Sequence, residues 1–446
     1  MLSCLRLFKD SAILLSGIFK ERKKVNMKKT GKLHYGWILC FTSCLMLTGG
    51  AGIVINSANQ FLKPVTEAFG ISRGQFSFYI SCLSITSMIV SPFIGKIFSK
   101  FPPKRVVIFG GLLMVCCWLG LSVAPNIYFF YVLGLLIGTG SSLTGMVCVS
   151  ILMNNWFVER KGTAMGIALT GTGIGSMIFN PLASKLIVEC GYQAAYRWLG
   201  LICILALLPY MIAFRYQPSE IGLKPVGVEQ LTAGSDGKEA VHVVTGLTRG
   251  EAMRRPEFYA VCFIAFGLSG TCQGLYNHLM AYFTDIGFGQ VKAASFISII
   301  GFTLAVGKVG AGWLNDKIGL KKSFTLLVGL SVLGMIMLNF ASSGGVAIVA
   351  SFLFGFAMAA PFVLSPLLTT FTFGSKDFAN IYGTITIFTF LGPILMPPLS
   401  GMIYDLNGSY FWAFVVCTVI EAASLLIGLV LLNGGGYEKL RAAKES

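Results

Sequence analysis

The chain has 446 residues, of which 55% are hydrophobic and only 12% are charged, and its mean hydropathy is +0.77. This composition excludes a water-soluble globular protein, because one or two cores cannot hide so much apolar surface. The formal net charge of +16 does not indicate a nucleic-acid partner, since the basic residues are scattered and do not gather on one soluble segment. We therefore expect a polytopic protein of the lipid bilayer, whose function lies in what crosses it.

Short charged gaps divide most of the chain into apolar stretches of about twenty residues, the length that an α-helix needs to cross a hydrocarbon core. Twelve such stretches are predicted to span the membrane, and we number them span one to span twelve in chain order. They lie at residues 35–57, 74–94, 106–124, 127–153, 163–187, 196–214, 258–284, 293–314, 323–341, 345–371, 381–403 and 410–432.

One long polar interval has the composition of a flexible linker and separates two groups of six spans. Most of the 34 Lys and Arg residues lie in the tails and the even-numbered loops, which places both termini in the cytoplasm. We expect a multi-pass protein of a bacterial-type plasma (inner) membrane. The predicted domains are a cytoplasmic N-terminal segment 1–34, a six-helix bundle 35–216, a cytoplasmic linker 217–255, a second six-helix bundle 256–432 and a cytoplasmic tail 433–446.

The apolar residues 12–19 near the N-terminus are too few to span a bilayer. No convincing cleavage site follows them, so we do not predict a signal peptide. Either this segment forms an amphipathic cytoplasmic helix, or Met27 is the start of the protein.

The two halves of the chain resemble repeats of one another. The loop after span two and the loop after span eight share their spacing, with Gly95 opposite Gly312 and a basic pair at the end of each. Spans five and eleven are each entered through a polar loop and interrupted by proline, at Pro181 and at Pro397–Pro398. Matching interruptions of this kind point to a transport pathway between the repeats.

The loop after span eight follows the pattern Gly-x-x-x-Asp-x-x-Gly-x-Lys-Lys, starting at Gly312. This pattern resembles the loop signature of the major facilitator superfamily. The resemblance implies an all-α polytopic membrane protein with twelve transmembrane helices in two pseudo-symmetric six-helix bundles, commonly a monomer. No metal site, nucleotide loop or nucleophile motif stands out, so we expect no cofactor and no enzymatic activity.

The same loop has a plain physical role. Asp316 can accept hydrogen bonds from the N-terminus of a neighbouring helix, while the glycines permit close approach and a tight turn. The first-half copy has Ser99 in place of the acid, so only the second copy should latch the two halves. The alternative is a loop whose charges only set the topology. The predicted latch residues are Gly312, Asp316, Gly319, Lys321 and Arg160.

A narrower resemblance covers residues 155–168, the loop before span five and the start of that span, followed by Gly171, Gly173 and Gly175. It is similar to the signature of the monocarboxylate transporter and oxalate/formate antiporter branches. The segments 34–37 and 278–285 look like bacterial members as well. The resemblance implies a secondary transporter of small organic anions, monocarboxylates in particular, that works by alternating access. The glycines also have an ordinary interpretation, which is tight helix packing.

Lys308 is predicted to lie inside span eight, roughly 12 Å along the helix from the following loop. A charge at this depth costs about 2.5–3.5 kcal/mol on insertion scales, so it normally faces a cavity and has a task. In the resembling families this position usually carries the arginine that pairs with the substrate carboxylate. Lysine keeps the positive charge but cannot form the planar, bidentate hydrogen bonds of a guanidinium with a carboxylate. We predict that Lys308 is the counter-charge of the substrate; the alternative is that it snorkels to the cytoplasmic interface.

At several positions this chain lacks a charged residue that the resembling families carry, and these differences narrow the predicted class of substrate. Animal monocarboxylate carriers place an aspartate one turn before that arginine, where this chain has Leu304, and their first-span lysine falls at Asn56. Oxalate exchangers carry a second cation where this chain has Thr389. A single buried positive charge suits a monoanion better than a dianion. The predicted substrate-binding residues besides Lys308 are Asn56, Asn59, Gln60, Asn277, His278 and Thr389.

Protons are a candidate second substrate, which leaves symport, antiport and uniport open. His278 titrates in a useful range if its environment is ordinary, and it is equally readable as a neutral structural residue at the outer end of span seven. The alternative function is a drug or other solute exporter of the same superfamily. Such an exporter is expected to carry a membrane carboxylate facing the cavity and a Gly-Pro pair in span five, where this chain has Asn180-Pro181.

Overall fold

The computed structural model describes residues 34–71, 73–227 and 246–434. The predicted N-terminal segment up to residue 33, the middle of the linker and the tail from residue 435 lie outside the described residues. Within the described ranges the regular structure is helical apart from two isolated bridges. Helices suit a membrane protein because each one satisfies its own backbone hydrogen bonds in lipid.

Eleven of the described helices are long and apolar enough to cross a membrane. One of them, Lys161–Ala213, has 53 residues and contains Gly191 at φ 80° and ψ 161°, outside the helical region. The break at this glycine divides the helix into residues 161–190 and 192–213, each long enough to cross by itself. These two parts are spans five and six, so the described residues contain all twelve predicted spans.

The other spans begin and end close to their predicted bounds, and several consist of two helical segments. In addition, short helices cover Leu62–Phe69 and Arg249–Met253. The spans are Tyr35–Ala51 with a π-helical turn at Gly52–Asn56 (one), Arg73–Val90 with Ser91–Phe93 and Ile94–Lys100 (two), Pro103–Gly120 (three), Ile127–Thr144 with Met146–Trp156 (four), Pro256–Tyr276 with Leu279–Asp285 (seven), Gln290–Ile318 (eight), Leu320–Asn339 (nine), Gly344–Ala357 with Ala360–Phe373 (ten), Phe378–Asn407 (eleven) and Phe411–Asn433 (twelve).

Two of the interruptions lie at glycines inside the protein. The π-helical turn of span one begins at Gly52, where an added Cβ would lie only 2.5 Å from the Cα of Gly175 in span five. Span four is interrupted at Gly145, which has φ −79° and ψ −148°. Irregular backbone at membrane depth is tolerated only where protein buries it or where it lines a cavity. The irregular backbone at Gly52 and Gly145 therefore faces the interior of the protein and not the lipid.

The two halves meet through two pairs of helices, span five with span eight and span eleven with span two. A Cβ at Gly166 would overlap the carbonyl oxygen of Lys308, and a Cβ at Gly383 would overlap that of Ser91 in the same way. A constant offset in residue number relates Gly166 to Gly383 and Ser91 to Lys308. The same offset relates Gly95 to Gly312, the pair that the sequence repeat predicts. The two contacts are therefore repeats of one packing arrangement.

The ends of the linker are held by equivalent loops of the two halves. Val226 forms a parallel bridge with Phe157, in the loop before span five. Gly246 forms an antiparallel bridge with Gly374, in the loop before span eleven. Because Phe157 and Gly374 are also related by the repeat offset, the linker begins and ends at matching places.

Candidate functional site

Lys308 lies in the interior of the protein, where spans five, eight and ten meet. Only 3% of the residue is exposed. Its Nζ donates a hydrogen bond to the hydroxyl oxygen of Thr172 in span five, at 2.5 Å. The same Nζ lies 4.5 Å from the ring centroid of Phe362 in span ten, a distance at which an ammonium is attracted by an aromatic face. Lys308 therefore does not snorkel to the membrane surface.

The ammonium of Lys308 has no acidic partner within the part of the chain that the structure describes. Ion pairs join Arg160 to Glu159 and Lys185 to Glu189, all with exposed side chains, and none of these residues is near Lys308 in the interior. A buried cation whose partners are one hydroxyl and one aromatic ring keeps most of its desolvation cost. A negative charge placed beside the ammonium would offset this cost.

Thr172 connects Lys308 to span one. Its hydroxyl donates to the backbone oxygen of Leu169 at 3.0 Å while it accepts from Lys308. The backbone oxygen of Thr172 accepts a hydrogen bond from Nδ2 of Asn56 at 3.0 Å, at the end of the π-helical turn. Of the predicted binding residues with a described side chain, Asn56 is thus the one that these hydrogen bonds connect to Lys308.

Thr389 occupies the repeat position of Thr172 in span eleven. Its hydroxyl oxygen is buried and has no hydrogen-bond partner among the described residues. The repeat position of Lys308 is Ser91, whose short side chain donates to the backbone oxygen of Ser87 at 2.7 Å. The pair formed by spans eleven and two therefore has a threonine at the position of Thr172, but a serine at the position of Lys308.

Two other predicted binding residues, Gln60 and Asn277, bond to groups other than Lys308. Gln60 accepts from the hydroxyl of Ser184 at 2.9 Å. Asn277 is exposed and accepts from Gln273 at 2.8 Å. Asn59 belongs to the 3-10 turn Ala58–Phe61, and its side chain is outside the described part of the structure.

His278 joins three spans of the second half. Its Nε2 lies 2.9 Å from the backbone oxygen of Pro397 in span eleven, and its Nδ1 lies 3.3 Å from the hydroxyl of Tyr410 next to span twelve. Since a carbonyl only accepts, Nε2 carries a proton, and Nδ1 accepts from the tyrosine in the neutral ring. These contacts hold the ring of His278 between spans seven, eleven and twelve, and its part in transport stays a prediction.

Asp316 bridges the two halves at the loop end of spans five and eight. Its Oδ1 accepts from the backbone N–H of Gly162 at 2.9 Å, and its Oδ2 accepts from that of Thr163 at 2.6 Å. Both amides belong to the first turn of span five, where unpaired N–H groups and the helix dipole favour a carboxylate. A Cβ at Gly312 would overlap the backbone of Gly162. The hydrogen bonds that a latch needs are therefore present.

The other predicted latch residues frame this contact. Gly319 ends span eight at φ 82°, and its N–H donates to the backbone oxygen of Asn315 at 2.9 Å. Arg160 precedes span five at φ 56°, the one positive φ among the described residues other than glycine. The side chain of Arg160 is exposed, and the ion pair that it forms among the described residues is with Glu159, at 3.8 Å. Lys321 is exposed.

A second polar contact joins the halves on the same side. Oδ1 of Asn154, in span four, accepts from Nζ of Lys161 at 2.8 Å and from the hydroxyl of Thr370, in span ten, at 3.0 Å. A cavity of about 810 Å³ opens next to the latch, and its lining includes Asp316, Thr370 and Leu367. Spans four and ten therefore add to the contact made by spans five and eight.

Sequence reasoning missed Thr172, Phe362 and Ser91. Thr172 had a usable signal, because it is the one polar side chain in the glycine run that starts at Gly171. Phe362 had none, because aromatic residues in an apolar span are ordinary. Ser91 becomes visible through the repeat offset once Lys308 is singled out.

Twelve spans and a buried, unpaired cation between two repeated halves define a polytopic membrane transporter. The model of the Major Facilitator Superfamily matches residues 39–372 and 297–445. These matches cover most of the chain, so the protein belongs to this superfamily. It is therefore a transporter of a small molecule and not an enzyme, and the predicted family is confirmed.

Relatives of known class cover nearly the whole chain. Monocarboxylate transporter 13 of Rattus norvegicus is 28% identical over 410 residues, which is 90% of this chain and 88% of the relative. Monocarboxylate transporter 12 of Xenopus laevis is 24% identical over 410 residues, which is 89% and 88%. The uncharacterized MFS-type transporter YcxA of Bacillus subtilis is 24% identical over 405 residues, which is 88% and 94%.

The solved structure of the MFS transporter FucP in the outward conformation is similar in fold. Its TM-score is 0.69 at 15% sequence identity, with 90% of this chain and 99% of that chain covered. The E. coli fucose:proton symporter FucP in a second crystal structure gives a TM-score of 0.68 at 14% identity, with 89% and 98% covered. Identities this low establish the fold alone. The predicted fold class, twelve helices of the major facilitator type, is confirmed.

Proposed function

We propose that this protein is a secondary active transporter of small organic anions, monocarboxylates in particular, with Lys308 as the counter-charge of the substrate carboxylate. The observation that carries the proposal is the environment of Lys308. It is a buried ammonium with one hydroxyl, from Thr172, and one aromatic ring, from Phe362, as its neighbours. Relatives that match about nine tenths of the chain carry the name monocarboxylate transporter.

A carboxylate is the ligand that this environment lacks. The ammonium of lysine has three N–H donors, and one of them points to Thr172. A carboxylate that enters the site gains charge-assisted hydrogen bonds from the other two and compensates the buried charge. An organic cation would add a second positive charge to a site without a described carboxylate. The geometry therefore favours an anion over the cationic substrates of many drug exporters.

The two contacts between the halves support alternating access. Spans five and eight, and spans eleven and two, touch through glycines next to Lys308 and Ser91. Asp316 closes the first pair at the end that we place in the cytoplasm. We assign the structure to the state that is closed on the cytoplasmic side. Breaking the hydrogen bonds of Asp316 to Gly162 and Thr163 would then open the site inwards.

The test is uptake into proteoliposomes that contain the purified protein. Labelled monocarboxylates, a dicarboxylate such as oxalate and an organic cation are compared for the wild type, Lys308→Ala and Lys308→Arg. Lys322→Ala is the matched control, because Lys322 is exposed at the start of span nine. We expect saturable monocarboxylate uptake that Lys308→Ala reduces about ten- to hundredfold, the loss expected for a hydrogen bond to a charged group. Lys308→Arg should retain part of it.

Each half of the proposal can fail separately. Uptake of the organic cation alone would show that the substrate class is wrong. Normal monocarboxylate uptake by Lys308→Ala would keep the substrate class and remove the role of Lys308. Repeating the measurement with and without a pH gradient shows whether protons drive the uptake, once the passive entry of the protonated acid into protein-free liposomes has been subtracted.

A further inference from the structure

Glu421 is a buried acidic residue of span twelve that the proposed transport site does not use. It lies ten residues from the first residue of the span and twelve from the last, roughly 15 Å or more from either end. Only 1% of the residue is exposed. A carboxylate at this depth is costly and is normally balanced by a cation. The protonation state of Glu421 therefore calls for an account.

The groups that face this carboxyl group are uncharged. Span seven contributes the hydroxyl of Thr271 and the thiol of Cys272, and span nine contributes the hydroxyl of Ser331. On its own helix the thiol of Cys417 lies one turn earlier, in contact with Ser400 of span eleven. No ammonium, guanidinium or imidazole faces the carboxyl group within the described residues. This environment favours the neutral, protonated form.

The hydrogen bonds of Thr271 require a second proton. Its Oγ1 lies 2.7 Å from the backbone oxygen of Gly267 and 2.5 Å from Oε2 of Glu421. A hydroxyl group has one proton, and a carbonyl or carboxylate oxygen only accepts. If both acceptors were unprotonated, one of these contacts would join two oxygens with no proton between them. The contact is accounted for when Thr271 donates to Gly267 and a protonated Oε2 donates to Thr271.

Close packing holds span seven between spans twelve and eleven at this level. A Cβ added at Gly267 would overlap the hydroxyl oxygen of Ser424, which lies one turn after the buried acid on span twelve. A Cβ added at Gly270 would lie 2.9 Å from the Cα of Gly392 in span eleven. The carboxyl group therefore joins two tightly packed helices of the second half, away from the Lys308 site of spans five, eight and ten.

We propose that Glu421 keeps a proton throughout transport, as a neutral donor that ties span twelve to span seven, and that the second half therefore loses stability as the pH rises. Without the proton, a negative charge at mid-membrane would face only hydroxyls and thiols. Its oxygen would also meet Thr271 as a second acceptor. The inference goes beyond the proposed function, because the contact lies outside the Lys308 site and does not depend on the substrate.

The direction of the pH effect follows from the number of bound protons. A glutamate in an unfolded chain has a pKa of about 4.3 and is ionised at neutral pH. The folded protein then binds one proton more than the unfolded chain, at Glu421. The unfolding equilibrium constant therefore rises about tenfold per pH unit for as long as Glu421 keeps this proton. Stability is lost as the pH rises and is regained as it falls.

The first test detects the proton directly. Infrared spectra of the purified protein in an ester-free detergent at neutral pH are compared for the wild type and Glu421→Gln. A protonated carboxyl group has a carbonyl band that a carboxylate lacks, and we expect the variant to lose one such band. Glu189→Gln is the matched control, because Glu189 is exposed and pairs with Lys185, and it should lose none. Thr271→Val removes the accepting oxygen, so it should shift the band without removing it.

The second test measures stability and transport in the same variant. Glutamine keeps the size of the side chain, and its amide donates to Thr271 in place of the carboxyl O–H. Between about pH 6 and about pH 8, the melting temperature of the wild type should fall by about 3 °C more than that of Glu421→Gln. Monocarboxylate uptake by Glu421→Gln at neutral pH should stay within about twofold of the wild type, because this hydrogen bond is kept.

Each part of the inference has an outcome that overturns it. An unchanged carbonyl band in Glu421→Gln would show that Glu421 is ionised. The same pH dependence of melting in both proteins would remove the effect on stability. Lost uptake in a folded Glu421→Gln would show that the carboxyl group releases its proton during transport. A wild type that takes up no monocarboxylate would contradict the proposed function alone, since the infrared and melting tests need no substrate.

Discussion

The two helix pairs that join the halves have the same backbone arrangement and different side-chain chemistry. In each pair a glycine of the first helix meets a carbonyl of the second, Gly166 with Lys308 and Gly383 with Ser91. Among the side chains that the structure describes in these pairs, the buried charge is that of Lys308, in the first pair. The comparison teaches that the repeat sets the backbone contact between the halves, while a few side-chain differences decide which helix pair holds the buried ammonium of Lys308.

The difference extends to the loop ends of the same pairs. Asp316 accepts from two amides at the start of span five. Its counterpart Ser99 donates to the backbone oxygen of Lys96 in its own helix. At the start of span eleven Asp377 instead accepts from Asn380 and from the linker amide of Arg249. One pair is therefore latched across the halves, and the other is tied to the linker.

The largest loss of transport is expected from changes at the glycine contact that the two helix pairs share. Gly166→Leu and Gly383→Leu each place a side chain on a carbonyl of the opposite helix. Overpacking costs about 1–3 kcal/mol or more, and here it also prevents the halves from closing. We expect both variants to lose transport by about a hundredfold in the proteoliposome assay.

Gly301→Leu is the control for that pair, because no heavy atom lies within 4 Å of the Cβ position of Gly301. It should transport normally. If one of the two interface glycines tolerates leucine, the two contacts are not equivalent, and the rocking motion uses a single pair.

The next largest effect is a difference in stability between variants of Thr172 and of its counterpart Thr389. Thr172→Val leaves the ammonium of Lys308 without its hydroxyl partner, which should lower the free energy of unfolding by about 1–3 kcal/mol. Thr389→Val removes an oxygen that has no described partner, so stability should be unchanged or slightly higher. Melting curves of the purified variants in detergent measure the difference. A similar loss in both would mean that the oxygen of Thr389 has a partner, such as an ordered water.

A smaller effect is expected from the latch. Asp316→Asn keeps the size of the side chain and removes the charge that faces the first turn of span five, a change worth about 1 kcal/mol. The equilibrium constant between the closed and the open state should fall about fivefold. Leu367→Cys, which lines the cavity beside the latch and is 6% exposed, should then react faster with a thiol reagent than in the parent.

Ser99→Ala is the matched change in the other pair, and it should leave the labelling rate of the same cysteine unchanged. Faster labelling in both variants would contradict a one-sided latch. Faster labelling in neither would show that the glycine contacts alone hold the closed state.

The fold followed from the sequence because its main determinants are local. Length and hydropathy set the spans, and Pro181, Gly95 and Gly312 revealed the repeat. The acid of the latch, Asp316, followed from the chemistry of a helix N-terminus. Each of these inferences uses residues that are close in sequence or related by a fixed spacing.

The binding site was predicted less completely, because it depends on contacts between distant spans. Lys308 stood out as a charge among apolar residues, yet its neighbours Thr172 and Phe362 come from two other spans. Gln60 and Asn277 looked like site residues because they are polar, although each bonds to a side chain away from Lys308. Polarity alone does not tell which face of a helix a residue occupies.

The smallest effect concerns Arg160, whose left-handed backbone has no equivalent at its counterpart Asp377, with φ −123°. The left-handed region costs about 1–2 kcal/mol for a residue other than glycine, and glycine gives back roughly 0.5–1 kcal/mol through its flexibility in the unfolded chain. The exposed pair with Glu159 adds little. Arg160→Gly should therefore raise the free energy of unfolding by about 0.5 kcal/mol, measured by denaturant titration.

Arg160→Ala keeps the strain and loses the same charge, so it should show no gain. The pair of variants also tests the predicted part of Arg160 in the latch. If transport falls in both, the guanidinium itself is needed for the conformational change. If transport is normal in both and only the glycine variant is stabilised, Arg160 acts through its backbone, by directing the amides of Gly162 and Thr163 toward Asp316.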